Sequence, residues 1–316
     1  MTWTRKILQG ARKGHRPLPV RIFGASLSIL VLAAALSACS GIGGSEKLVS
    51  PSITSLPDSE IDLEKARAEN THRLVDPKFE NQIEVIEDST GIESARTFFS
   101  NTRTLIVAED RDSALLRAAS LAVSQRVPVV VYSDEDRGAI MQLVRDLEVE
   151  QVVTVGKVSW AEAEGSLEVV HDPGTTAAMG QFTAFQFTSK VVASPSQMVE
   201  AVAQLDTDEK TELKAAWEPL LRSDEERTMP AIEGQSRRDS QMAPNMIATA
   251  ATPLANVINA NAYGGSVLVM PNSELMASKA SAAMVIGLEH GSLIALGPEF
   301  GRPEEISEKI SRGYEQ

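Results

Sequence analysis

The chain has 316 residues, 43% hydrophobic and 4% aromatic, with 30 Lys+Arg against 43 Asp+Glu for a formal net charge of −13. That acidity disfavours sequence-independent binding to nucleic acid phosphates or anionic lipid headgroups. A single cysteine rules out an intrachain disulfide framework, so stability must come from a buried core, for which this length suffices.

The first 21 residues carry six basic side chains (Arg5, Lys6, Arg12, Lys13, Arg16, Arg21) and no acidic one, the pattern of a signal-peptide n-region. Fifteen apolar or small residues follow from Ile22 to Leu36, short of the roughly 18 that a membrane-spanning helix needs. They close on Leu36-Ser37-Ala38-Cys39, which resembles the lipobox of bacterial lipoproteins, where small residues fit the peptidase pocket and the thiol receives a diacylglycerol. The expectation is a signal peptide over 1–38 and a lipid on Cys39 that holds the protein to the cell membrane on its extracytoplasmic side. Two acyl chains, at about 0.8 kcal/mol per buried methylene, hold far more firmly than one. Two alternatives stay open: a secretory signal cleaved after Ala38 without lipid, and an uncleaved anchor helix in which Cys39 is incidental. Removal of residues 1–38 leaves 24 basic residues against 43 acidic ones, a charge of −19.

Residues 39–58, with Gly41, Gly43, Gly44, Pro51 and Pro57 among serines, have a tether composition. The segment 59–103 opens on a charged helix from Ser59 to about Asn70 and continues as a connection. A first α/β unit spans 104–221. Its strand Thr104–Ala108 meets the polar cluster Glu109 to Asp112. A helix follows to about Gln125, then a strand Val127–Tyr132. A helix capped by Ser133 to Asp136 and a third strand Gln151–Val155 ending at Gly156 complete the run. Strand, helix and strand in this rhythm predict parallel crossovers, hence an α/β fold of Rossmann-like parallel-sheet layers with helices on both faces. Further along, Leu167–Val170 reads as a strand, a Phe-bearing stretch (Phe182, Phe185, Phe187) and the run Lys190-Val191-Val192-Ala193 follow, and two helices are expected at Ser196–Leu205 and Asp208–Leu221. Trp160 and Trp217 are expected in the core or half-buried on helices. Residues 222–244 read as a polar loop.

A second α/β unit, 245–316, repeats the syllables: strand Met246–Thr249, helix Leu254–Tyr263, strand Gly265–Pro271, helix Ser273–Leu288 and strand Ser292–Gly297. Val107 to Gly156 and Ala248 to Gly297 are both 49 residues, so the two units are related in pattern, with little residue identity.

Residues 103–159 carry Ser113 to Ala122 as an Ala-rich helix start, Val127-Pro128-Val129-Val130-Val131 as a Pro-led strand and Val152-Val153-Thr154-Val155-Gly156 as the closing strand. This stretch resembles the cell wall-binding repeat type 2 family, modules that hold exported proteins on Gram-positive cell walls by binding secondary polymers non-covalently. Ala114 stands where that family has Asp, and Lys157 where it has a second Gly. In the second unit Gly264-Gly265 lies near the place of the family Pro, and Pro298 follows Gly297. The resemblance therefore implies the fold, and binding residues are not carried over from it.

Catalytic signatures are missing from the sequence: there is no H-E-x-x-H, G-x-S-x-G or S-x-x-K, and no Gly-rich phosphate loop after any strand. His72, His171 and His290 are too scattered for a zinc cluster, so neither a metal nor a cofactor is expected. What remains is polar residues at strand carboxyl ends, where open α/β sheets bind ligands. These are Asp110, Arg111 and Asp112 after the first strand, Asp134, Asp136 and Arg137 after the second, Lys157 after the third, and His171-Asp172 after the fourth. As candidates they would hydrogen-bond sugar hydroxyls; as ordinary caps and turns they would serve only the fold. The functional expectation is a non-enzymatic, lipid-anchored envelope protein that binds a cell-wall glycan or an envelope protein partner and no nucleic acid. The alternative is a solute-binding lipoprotein of an importer.

Overall fold

A computed structural model describes residues 57–314 apart from 161–162, 165–166, 221, 223–228 and 236–241. The leader, Cys39 and all but the last two residues of the tether lie outside the described residues. Helix α1 (Leu63–Thr71) starts where Asp62 accepts hydrogen bonds from the Glu64 and Lys65 amides, a side-chain cap at the end where the helix dipole favours an acid. The connection that follows is richer in structure than its sequence suggested, for it contains strand β1 (Ile83–Val85) and helix α2 (Ile92–Phe98).

The first sheet takes β2 (Thr104–Glu109), β3 (Val129–Tyr132), β4 (Gln151–Val155) and β6 (Leu167–Asp172), all parallel, in the order β3-β2-β4-β6. A two-residue β5 (Ala163–Glu164) runs antiparallel on the outer edge. Strand β2 is central and reads Leu-Ile-Val-Ala without alternation, because both of its faces are covered. The crossovers are α3 (Asp112–Gln125) and α4 (Arg137–Asp146). Only α4 is amphipathic, burying Ile140, Leu143 and Val144. In α3 every residue from Ser113 to Gln125 is buried, which marks a helix covered all round.

After β6 come α5 (Thr176–Thr183), β7 (Thr188–Val192), α6 (Met198–Ala203) and β8 (Thr211–Ala215). The helix expected over Asp208–Leu221 is absent, and β8 pairs in parallel with β7 as a small separate sheet. Tertiary contacts explain the difference: Leu213 is buried, its amide donates to the Ser120 hydroxyl of α3, and Glu212 is drawn inside by Arg117. Local propensity is a weak prior against such burial.

The second sheet is wholly parallel. Its strands are β9 (Asn245–Thr249), β10 (Val267–Met270) and β11 (Leu293–Ala295), with α7 (Leu254–Tyr263) and a short α8 (Lys279–Val285) as crossovers. The expected helix over Ser273–Leu288 shrinks to α8 because Asn272 turns the chain at Glu274 and Ser278 caps Ser281. The order is β10-β9-β11-β1, so β1, from ahead of the first sheet, fills beside β11 the place that β6 fills beside β4. The amphipathic α9 (Pro303–Arg312) follows, with Pro303 at its first turn and only Ile306 and Ile310 buried.

One hydrophobic cluster runs from Phe79 through both parallel sheets to Leu296. Helix α7 lies at its centre, buried from Ala255 to Tyr263, and three asparagines fasten it. Asn256 donates to the Asp88 and Leu296 carbonyls, Asn259 to Gly91, Ser94 and Val129, and Asn261 to Val202, Ala203 and Leu205. Gly91, at φ 85°, permits the close approach of α2: a Cβ there would stand 2.7 Å from that of Ala255. The supposed polar loop is part of this packing in its described portion, where Met229, Ile232 and Ala243 are buried.

Candidate functional site

The carboxyl ends of β2, β3, β4 and β6 lie along one edge, and the candidate side chains on it divide into separate groups. Arg111 donates twice to Glu218, at 3.0 and 2.8 Å, and Asp112 accepts from Trp217 Nε1 at 2.9 Å. Asp110 is exposed. Around the next turn Asp134 accepts from the Tyr132 hydroxyl at 2.8 Å, while Asp136 is engaged by Ser133, and Arg137 is exposed at the start of α4. Lys157 is exposed, and its backbone amide donates to Glu109 at 2.8 Å. No one pocket gathers these seven residues. Trp160 is buried, edge-on to Tyr132, and Trp217 is half-buried, though neither stands on a helix.

Sequence reasoning passed over Glu109, and it is central to this edge. In a doubly wound sheet the crevice beside the first strand is the ordinary anion site. Here the Glu109 carboxylate sits beside Gly156, at φ 82°, so closely that a Cβ on that glycine would lie 2.5 Å from Oε2. The second sheet repeats the device with another residue. Glu299 accepts from the Thr249 hydroxyl at 2.8 Å and from that of Thr252, and a Cβ on Gly297 would clash with it. A phosphate at either crevice would meet a resident negative charge instead of free amides.

The strongest electrostatic cluster lies inside, beneath the Arg111–Glu218 pair. Arg117 of α3 donates from Nε to Asp172 at 2.6 Å, from Nη2 to Asp172 and the Thr175 carbonyl at 2.9 and 2.7 Å, and from Nη1 to Glu212 at 2.8 Å. All three charged side chains are at most 3% exposed. Burial alone would raise the Glu212 carboxyl. The Lys214 hydrogen bond, the charges of Arg117 and Lys214 and the Thr176 hydroxyl outweigh it and hold the group below its ordinary value. Glu218 is held low too, first by the Ser113 amide and then by Arg111. Above the cluster opens a cavity of about 450 Å³, walled by Leu213, Ala215, Pro219 and Leu220 and rimmed by Lys214 and Arg222. Of its charged members, Asp172 was visible as a strand-end candidate. Glu212 was hidden because its segment read as a helix.

Among the described residues no three His, Asp or Glu side chains come together to hold a metal ion, and no helix is long and apolar enough to cross a membrane. No protein-family model matches the chain, and no curated protein matches it. Solved structures similar to it include Cwp6 from Clostridium difficile, with 11% identity and a TM-score of 0.46 over 75% of this chain and 49% of that one. Cwp8 from the same organism has 14% identity and a TM-score of 0.43 over 72% of this chain and 52% of that one. The chain spans about half the length of each.

Proposed function

We propose that this protein is a non-enzymatic envelope lipoprotein, held outside the membrane through Cys39, whose α/β body binds a neutral cell-wall glycan or an envelope protein. The observation that carries the reading is the pair of strand-end crevices closed by Glu109 and Glu299. With its customary anion sites filled by its own carboxylates, the body is a scaffold that recognises partners from its flanks. The cavity above Arg117 offers such a flank, with an apolar wall and a rim of Lys214, Glu218 and Arg222 suited to hydroxyls and amides. A net charge of −19 after processing favours a neutral or basic partner over an anionic polymer.

A solute-binding protein closes two lobes on a ligand between them. Both parallel sheets of this chain share one core, which speaks against that alternative. Retention of the mature protein on purified cell walls, with and without a chelator, tests the proposal. Binding that survives chelation and that weakens in Leu220→Glu supports it; no retention under either condition on walls or on envelope extracts sinks it.

A further inference from the structure

Arg73 lies between α1 and β1, far from the edges just described. Its guanidinium is half-buried, makes one hydrogen bond, from Nη1 to Asn245 Oδ1 at 3.0 Å, and forms no ion pair with any described residue. Burial pushes its pKa down, as expected for a cation withdrawn from water without an anion beside it. Among the described residues, one of its five guanidinium donors has a partner. Elsewhere this chain pairs its buried arginine fully, as Arg117 does with Asp172 and Glu212, which makes the vacancy at Arg73 an exception.

The surroundings have the makings of a site. A cavity of about 340 Å³ is lined by Arg73, Asn81, Asn245, Glu80, Glu289 and His290 among others. That volume is at the small end of ligand pockets, roughly 300–1,000 Å³. Asn245 is 4% exposed, and with its Oδ1 committed to Arg73 its Nδ2 donors have no partner among the described residues. The Nδ2 hydrogens are therefore available to a bound acceptor in the cavity. Two donors, one of them a planar cationic fork, thus lack acceptors in one cavity, and a carboxylate fits the fork bidentately. Two acidic residues among those lining the cavity, Glu80 and Glu289, oppose a multiply charged anion such as phosphate and favour a ligand that also carries a cation.

We infer that this pocket binds a small zwitterion, an α-amino acid or dipeptide, with its carboxylate on Arg73 and Asn245 and its ammonium toward Glu80 and Glu289. The inference stands apart from the partner proposed above, because the pocket lies at the amino ends of β9 and β11, opposite the Glu299 crevice. Calorimetric titration of the mature chain with alanylalanine, alanine, acetate and inorganic phosphate tests it. Saturable binding is expected for the two zwitterions, weaker binding for acetate and none for phosphate. Arg73→Lys weakens alanylalanine by about ten-fold or more, since a point charge replaces the fork. Glu289→Gln weakens alanylalanine and leaves acetate unchanged. Absence of saturable binding by both zwitterions, or phosphate binding as tightly as alanylalanine, overturns the assignment, and both are read on the unaltered protein. Arg73→Gln adds a structural readout: removal of an uncompensated charge leaves the melting temperature unchanged or raised, whereas a fall shows that Arg73 serves only the fold.

Discussion

Arg117 shows how one side chain carries consequences out of proportion to its size. It holds α3 to β6 and β8 through two carboxylates that water does not reach. Arg117→Met takes the countercharge from Asp172 and leaves Glu212 with Lys214 alone, and denaturant unfolding should register a loss of about 3–5 kcal/mol. Neutralising the carboxylates at the same time, with Asp172→Asn and Glu212→Gln, should recover much of it, because the penalty belongs to the stranded charges. The lipid proposed on Cys39 makes a simple prediction: Cys39→Ser should move the protein from the membrane fraction to the medium, and an unchanged membrane fraction would exclude the lipid. A lipobox-like motif is legible in a sequence because a peptidase reads a short local stretch. Arg117 gave only the hint of a charge inside an Ala-rich run, since its partners lie 55 and 95 residues away.

Helix α7 shows what an element can do that its hydrophobic periodicity does not reveal. Its apolar residues place it in the core, and its asparagines join it to four other segments of the chain. Asn259 both accepts from the Val129 amide and donates to the Val129 carbonyl, serving the start of β3 as a neighbouring strand would. Asn259→Ala leaves those buried groups unpaired and should cost about 1–3 kcal/mol in a thermal or denaturant melt. At its far end, Tyr263 stacks among Phe79, Phe98 and Phe99 with ring centroids 5.5–6.4 Å apart, which binds α2 to the same helix. Helices α3, α4, α6 and α7 and the strands β2, β3, β4, β9 and β10 were readable from apolar runs and caps. Strands β1 and β8 were not, being three and five residues long and held by pairings across the chain.

For the molecule as a whole, a shared core implies shared unfolding. Among the described residues the tryptophans are Trp160 and Trp217, both beside the first sheet, whereas circular dichroism reports on both sheets. The two signals should fall together in denaturant; separated midpoints would show that the sheets melt independently. Acid should also weaken the whole. Glu212, Glu218 and Asp88 have folded pKa values below their unfolded ones, so their stabilisation is complete above the unfolded values, roughly 4, and is lost as the pH falls through the folded ones. Glu84, raised by burial, works in the opposite sense. The melting temperature should therefore drop below about pH 4, and Glu218→Gln should flatten part of that drop.

By itself the sequence determined the rhythm, alternating strands and helices that form a parallel α/β fold, and it raised the expectation of an envelope address from a basic N-terminal run and a cysteine at the end of an apolar stretch. Those properties are local, written in periodicity and in short motifs. Tertiary structure alone decided that an early strand completes the late sheet, that a helical-looking segment extends beside β7, and that Glu109 and Glu299 close the crevices. It also decided that Arg73 keeps donors without acceptors. Each of these depends on segments tens to hundreds of residues apart meeting in a common core, and no local periodicity records which distant segments will meet.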